Sequence, residues 1–203
     1  MHIAITGNIG AGKTTLTDML AKHYGWKTQY EDVEHNPYLE DFYKDMSQWS
    51  FALQIYFLGS RFRQVKKIRE SGQDIIQDRT IYEDAYIFAE NLKDMGLLSN
   101  RDYQNYSSVF NLMINFVSPP DLLIYLKSDV STLIKKINKR GRDYESSISR
   151  DYLSKLNDKY EKWISNYNDG NLLILEMGKL DFVENPNDFQ FIINEIDKII
   201  KNN

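Results

Sequence analysis

Gly7-Asn-Ile-Gly-Ala-Gly-Lys-Thr-Thr15 has the residue types and spacing of a phosphate-binding loop, with Gly7, Gly12, Lys13 and Thr14 filling the pattern G-x-x-x-x-G-K-S/T. A short apolar run over residues 2–6 precedes it, and the helical pattern of Leu16, Met19 and Leu20 follows it. A strand feeding a glycine-rich turn and then a helix leaves the first helical amides unpaired, and phosphate oxygens are their natural partners. The backbone of Asn8, Ile9, Gly10, Ala11 and Thr15 would then surround the anion. The Lys13 ammonium would reach the outer phosphates, and the Thr14 hydroxyl would ligate Mg²⁺. The plainer alternative, a turn without chemistry, is opposed by the joint presence of strand, spacing and Lys-Thr. A bound nucleoside triphosphate is the expectation.

The rest of the chain must supply elements that hold a reacting partner over this loop. Short apolar runs at 3–5, 28–33, 74–77, 122–126 and 172–175 read as buried parallel strands. Helical patterns at 49–70, 84–92, 101–117, around Leu153 to Ile164 and at 189–200 separate or follow them, with Ser118-Pro119-Pro120 closing one and Asn185-Pro186-Asn187-Asp188 opening the last. Alternating strands and helices imply a five-stranded parallel sheet covered on both faces, an α/β fold. Ligands in such sheets gather at the carboxyl ends of the strands. There the sequence puts Glu31-Asp32 after the second strand and Asp78-Arg79 after the third. A lone Asp-Arg pair reads as a surface ion pair, but beside a phosphate-binding loop a carboxylate in that place suits the shell of a magnesium ion. The basic group Lys136, Lys139, Arg140 and Arg142 follows the helix after the fourth strand. Read as a lid spanning about 137–147, it would close guanidinium groups over a transferring phosphoryl group.

Bulk properties narrow the function further. The 203 residues carry a formal net charge of -4, which argues against a general nucleic-acid binder, since phosphate contacts need a basic excess. With no cysteine, neither disulfides nor a thiolate nucleophile is available. No basic and apolar leader precedes the first strand and no run reaches the length of a membrane span, so the expectation is a soluble cytoplasmic protein without a membrane partner.

These motifs together resemble the deoxynucleoside kinases, most closely the bacterial deoxyadenosine and deoxyguanosine kinases, over nearly the whole length. They are the Gly7 to Thr15 loop, Glu31-Asp-Val, Asn36-Pro-Tyr-Leu-Glu-Asp-Phe-Tyr43, the segment from Trp49 to Arg61 with Leu53-Gln54, Asp78-Arg-Thr-Ile-Tyr-Glu-Asp84, and Arg140-Gly-Arg-Asp-Tyr-Glu145. Asp32 stands where the family usually has proline, and Asp78 where many members have glutamate. The resemblance implies one domain over residues 1–203 with the P-loop nucleoside-kinase fold and a short Arg-rich lid. It implies ATP and Mg²⁺, with Thr14 and Asp78 at the metal, and places Asp188 and Phe189 near the bound ATP. Glu31 would be the general base for a 5′-hydroxyl, steadied by Arg79, while Lys13, Arg140, Arg142 and, more weakly, Lys136 would neutralise the transferred group. Tyr43 and Glu145 would hold the 3′-hydroxyl, Gln54 the base edge, Arg61 and Asp84 a deeper polar end of the pocket, and Phe110 a stacking face. Glu34, His35, Glu40 and Asp41 read as solvated surface, and His2 and His23 carry no assigned role.

A thymidylate-kinase-like nucleoside monophosphate kinase is the alternative, since it shares the loop, an acidic residue after the second strand and an Asp-Arg pair. A GTP-dependent switch would need an Asn-Lys-x-Asp reader, and Asn138-Lys139-Arg140-Gly141 lacks the aspartate. Gln54, Arg61 and Asp84 together suit a base with an exocyclic amine, so deoxyadenosine is the expected first substrate and thymidine a poor one. The aromatic-rich helical patterns at 84–92 and 101–117 carry more apolar positions than one buried face needs, and with the resemblance they point to a homodimer.

Overall fold

In this computed structural model residues 1–31, 33 and 35–201 are described; Asp32 and Glu34, singled out above, lie outside them. Five parallel strands form one sheet, β1 (His2–Thr6), β2 (Lys27–Gln29), β3 (Ile75–Asp78), β4 (Leu122–Lys127) and β5 (Asn171–Glu176), in the order β2-β3-β1-β4-β5. Alternation along each strand sends successive side chains to opposite faces. Ile3, Ile5, Leu122, Ile124 and Leu126 pack on one side with Leu16, Leu20, Ile192 and Ile196, while Ala4, Leu123 and Tyr125 pack on the other with Leu53, Leu156 and Tyr160. Each such fully buried Leu or Ile side chain stabilises the fold by roughly 1.5–3 kcal/mol relative to exposure. Two apolar faces force a double covering of helices.

Those helices are α1 (Lys13–Tyr24) and α9 (Pro186–Lys201) on the first side, and α3 (Met46–Ser71) and α8 (Arg150–Ser165) on the second. Two short helices, α2 (Leu39–Lys44) and α5 (Glu90–Asp94), and the longer α6 (Asn100–Ile114) and α7 (Val130–Arg140) complete the covering. Caps fix several starts. Asp45 accepts from the Gln48 amide at 3.1 Å, which begins α3 three residues before the expected Trp49. Thr80 and Glu83 form a capping box that opens α4 (Ile81–Glu83), so helix begins before Asp84, and the turns from Asp84–Ala89 widen into a π-helix. Helix α6 stops at Ile114 rather than at 117; beyond it the Arg69 guanidinium binds the carbonyls of Ser118 and Pro119 at 3.0 and 2.6 Å.

The largest departure from expectation is β2, which ends at Gln29 instead of running through 33. Gln64 donates to the Tyr30 carbonyl at 2.9 Å and Arg61 draws in the Glu31 side chain at 3.0 Å, so α3 diverts the chain from the ladder. Glu31 therefore stands on a loop held by α3. The register pairs Ile5 with Asp78 and Thr6 with Tyr125, which brings the end of β1 and its phosphate-binding loop against the ends of β3 and β4. No described helix is long and apolar enough to cross a membrane.

Candidate active site

Glycine is required at the loop where its backbone turns left-handed. Gly10 has φ +83 and Gly12 φ +103, and a Cβ at Gly10 would lie 2.9 Å from the Leu133 carbonyl and from Ile137 Cγ1. Gly12 caps α1 without any side-chain acceptor, which leaves the first amides of the helix directed at the loop's interior. Asn8 ties the loop to α8, donating to the Leu153 carbonyl at 3.0 Å and to Asn157 Oδ1 at 2.6 Å. Lys13 is buried, and its Nζ donates to the carbonyls of Gly7 and Asn8 at 2.9 and 3.1 Å. Burial and the nearby Arg79 lower its pKa to about 8, so an incoming polyphosphate would find an ammonium short of anionic partners.

Beside Lys13 opens a cavity of about 510 Å³, bounded by the loop, α2, α3, the π-helical turns and the segment after α7. The size suits a small organic substrate. Glu31 stands in its wall between two arginines: Arg61 Nη2 lies 3.0 Å and Arg79 Nε 3.1 Å from the same oxygen, Oε1. Burial alone would raise the Glu31 pKa, but the Arg79 and Arg61 guanidiniums override it and hold the group down at about 2. It is a carboxylate at any physiological pH.

Arg79 is the one described residue other than glycine with a positive φ, +69. That conformation costs about 1–2 kcal/mol for an L-residue. Its guanidinium is braced on every side, by Glu83 at 3.1 Å, the Tyr160 hydroxyl at 2.8 Å and the Phe88 ring at 4.6 Å. Asp78, one residue earlier, accepts from the Thr14 hydroxyl through Oδ2, while its buried Oδ1 has no partner. Burial raises its pKa. A hydroxyl beside a carboxylate with an unsatisfied oxygen, next to a phosphate-binding loop, fits Mg²⁺, whose remaining ligands would be phosphate and water. Among the described residues no three acidic or histidine side chains converge to hold a metal unaided.

Deeper in the cavity Arg61 Nε lies 3.4 Å from Asp84 Oδ2, and its Nη1 donates to Gln64 Oε1 at 3.2 Å and to the Asp78 carbonyl at 3.1 Å. Burial pushes the Asp84 carboxyl up to about 7, against the pull of Arg61. Gln54 is buried, and its Oε1 is left without a donor. The helical periods put Asp84 and Phe88 on the same wall. At the mouth the Tyr43 ring from α2 stacks on Tyr144 with centroids 5.7 Å apart. Glu145, also buried, accepts from Arg140 Nε at 3.1 Å and lies 3.6 Å from Arg142. The expected lid starts inside α7, where Ile137 is packed under Gly10, and its arginine-bearing turn follows.

Three of the expected residues lie outside the lining of this cavity. Phe110 is turned into the core beside Tyr106 and Tyr82, edge-on to Tyr86, because α6 packs its buried face on α3 and away from the cavity. Phe57 and Phe88 supply aromatic faces to the cavity in its place. Asp188 caps the preceding loop by accepting from the Asp181 amide at 2.7 Å, and Phe189 packs against the core near His23. Phe182 stands at the phosphate-binding loop instead, its Cζ 3.4 Å from where a Gly12 Cβ would be. Lys136 also reaches the loop, donating to the Ala11 carbonyl at 3.4 Å. Asp181-Phe182 follows the end of β5, so the rule that sites gather at strand carboxyl ends was the available signal for it.

The deoxynucleoside kinase family model matches residues 3–201. The chain is 43% identical to the deoxyadenosine/deoxycytidine kinase of Bacillus subtilis over 99% of its own length and 94% of the relative's. It is 36% identical to the same organism's deoxyguanosine kinase, covering 98% of this chain and 97% of that one. Among solved structures, deoxyadenosine kinase from M. mycoides with the products dCMP and a flexible dCDP superposes with a TM-score of 0.88 at 35% identity, over 98% of this chain and all of the other. The same enzyme with bound dATP gives 0.86 at 34% identity, over 97% and 100%. A phosphate-binding loop facing a carboxylate flanked by two arginines across one cavity is an arrangement suited to phosphoryl transfer to a hydroxyl, and the chain belongs to the deoxynucleoside kinases, enzymes that phosphorylate deoxynucleosides at the expense of ATP.

Proposed function

We propose that the chain transfers the γ-phosphoryl group of ATP to the 5′-hydroxyl of an amine-bearing deoxynucleoside, deoxyadenosine first, with Glu31 taking the proton. The observation that carries this reading is the placement of Glu31, ionised and partly open to the cavity, between Arg61 and Arg79 and within the field of Lys13. The 5′-oxygen forms a bond to the γ-phosphorus, the bond from that phosphorus to the bridging oxygen breaks towards ADP, and the hydroxyl proton passes to Glu31. A weakly basic carboxylate serves because the loose transition state demands orientation and late proton removal. Lys13, Arg140 and Arg142 would spread the charge of the transferred group, and Lys136 and Phe182 would flank the loop where the nucleotide enters. Thr14 and Asp78 would hold Mg²⁺, which neutralises charge on the outer phosphates.

The base preference rests on the unpartnered acceptor of Gln54 and on the neighbouring Arg61-Asp84 pair. The Gln54 amide can meet other base edges by turning over, so discrimination would fall to the deeper pair: its carboxylate would accept from an exocyclic amine, whereas thymine has no such amine and would press its methyl group into that polar end. Tyr43 and Glu145 would take the 3′-hydroxyl. Residues 1–203 would act as one domain with a lid, in the cytoplasm where ATP is made, and as a homodimer joined through Tyr86, Leu112 and Phe116, apolar side chains left exposed on the π-helical turns and on and just beyond α6. Offering ATP-Mg²⁺ with each of the four deoxynucleosides and their monophosphates tests the reaction: phosphorylation of monophosphates alone would sink it, and thymidine as preferred substrate would sink the base assignment. A light-scattering mass equal to one chain at micromolar concentration would remove the dimer, and activity confined to a membrane pellet the location.

A further inference from the structure

Glu83 and Tyr160 take no part in the reaction as described, yet they sit at its centre. Glu83 is fully buried and accepts from the Thr80 amide at 2.7 Å, the Thr80 hydroxyl at 3.2 Å, Arg79 Nη1 at 3.1 Å and the Tyr160 hydroxyl at 2.8 Å, with the Gly7 amide at 3.5 Å. Tyr160, also fully buried, accepts in turn from Arg79 Nη1 at 2.8 Å. One carboxylate thus joins the first glycine of the phosphate-binding loop, the start of α4, helix α8 and the guanidinium beside Glu31. A carboxylate with so many donors around it is a rigid post, since losing any one of them leaves a buried charge short of a partner.

The direction in which this post holds Arg79 matters for chemistry. A free arginine engages a carboxylate through two parallel hydrogen bonds, which occupy both carboxylate oxygens. Here Nη1 is held by Glu83 and Tyr160, and Arg79 meets Glu31 in an ion pair of Nε with Oε1 at 3.1 Å that makes no hydrogen bond, so no fork forms between them. Arg61 lands on the same oxygen, Oε1, and among the described residues no hydrogen bond engages Oε2. The backbone of Arg79 is left-handed, a conformation that persists only where surrounding contacts impose it.

We propose that Glu83 and Tyr160 are positioning residues for phosphoryl transfer: by anchoring Nη1 they keep Arg79 from forking onto Glu31, so that one carboxylate oxygen stays free to receive the 5′-hydroxyl proton. The inference rests on the reading that Glu31 is the base. Its test is a double-variant cycle built from Tyr160→Phe and Arg79→Lys, with kcat, both KM values and the melting temperature measured for each enzyme. Tyr160→Phe keeps the ring stacked on Tyr125, 5.8 Å away, and so keeps its packing. It is expected to lower kcat by ~10-fold while KM for the deoxynucleoside moves less than ~3-fold, the pattern of an interaction felt in the transition state. In the Arg79→Lys background, which lacks the fork, the same substitution should add no further loss of kcat. Glu83→Gln, isosteric with the native side chain, should behave likewise and serves the cycle if Tyr160→Phe does not fold. An unchanged kcat in Tyr160→Phe, or a loss that multiplies in full with that of Arg79→Lys, would overturn the inference and leave these residues a structural role only. Should Glu31→Gln retain wild-type turnover, the underlying reading of the base fails and this inference falls with it, an outcome distinct from an additive cycle with a slow Glu31→Gln.

Discussion

Replacing Glu31 by glutamine removes a proton acceptor while preserving the shape of the side chain and one hydrogen-bond acceptor. Arg61 would keep Asp84, Gln64 and the Asp78 carbonyl, and Arg79 would keep Glu83 and Tyr160, so neither guanidinium is stranded. General-base removal costs a factor of ~10²–10⁴ in rate, which is ~3–5 kcal/mol of activation free energy. With its pKa held at about 2, Glu31 is a weak base that works mainly by orientation, so the loss should lie near the lower end, ~10²-fold in kcat. The deoxynucleoside KM should change by less than ~3-fold, because an amide can still accept from the 5′-hydroxyl. Stability carries an independent signature. The folded pKa of about 2 lies below the ordinary 4.5, so the ionised group contributes stability at pH above 4.5 and loses it as pH falls towards 2. That gap corresponds to roughly 3 kcal/mol at neutral pH, an upper figure for what glutamine would remove. Steady-state turnover by coupled ADP release, together with urea unfolding at pH 7 and pH 3, measures both. A turnover number within ~2-fold of the parent would refute the assignment and move the base to another carboxylate, Asp78 being the described candidate.

Arg140→Ala and Arg142→Ala should each lower kcat by ~10-fold or more while leaving nucleoside affinity nearly intact, since charge on the transferred group changes chiefly in the transition state; a fall in affinity alone, seen by calorimetric titration, would reassign them to nucleoside binding. The Arg61→Met, Asp84→Ala pair should raise thymidine turnover relative to deoxyadenosine in competition assays, and an unaltered ratio would show that the deep pair does not select the base. Asp84, raised by burial to about 7 from an ordinary 3.8, holds a proton in the folded state that the unfolded chain has released, so its contribution to stability declines as pH rises from 4 to 7. Urea midpoints of Asp84→Asn should lose that decline, and an unchanged slope would rule it out. Gly10→Ala would force a Cβ to within 2.9 Å of the Leu133 carbonyl at a left-handed position, so nucleotide affinity should fall by at least ~10-fold and stability by ~1–3 kcal/mol, measured by fluorescent-nucleotide titration and thermal melts.

The phosphate-binding loop is legible from local chemistry alone. Gly10 and Gly12 are required by backbone angles, and the Lys13-Thr14 pair by the anion the loop surrounds, so a short string of letters carries that site whole. Apolar runs carried the central strands β1, β3 and β4, because a strand buried on both faces has no polar side to show, while the edge strands β2 and β5 are only partly buried. Asp78-Arg79 was legible for the same reason, lying where such a strand ends. The remainder of the site follows from the packing of the fold, since it depends on side chains far apart in sequence. Strand β2 stops at Gln29 because Gln64 and Arg61, more than thirty residues away, compete for its continuation, and that competition puts Glu31 on a loop facing the cavity. The roles of the aromatic residues were decided in the same way. Phe110, Phe88, Phe182 and Phe189 are chemically alike, and which of them meets the core, the cavity or the phosphate-binding loop follows from how α6, the π-helical turns and the loop after β5 pack. Glu83 lies inside the Asp78-to-Asp84 motif and Tyr160 inside the apolar stripe from Leu153 to Ile164, neither with a role of its own there: a carboxylate in a helix's first turn reads as a cap, and a tyrosine on an apolar stripe reads as core. Both readings hold, and only the fold adds that the two side chains meet on the guanidinium of Arg79.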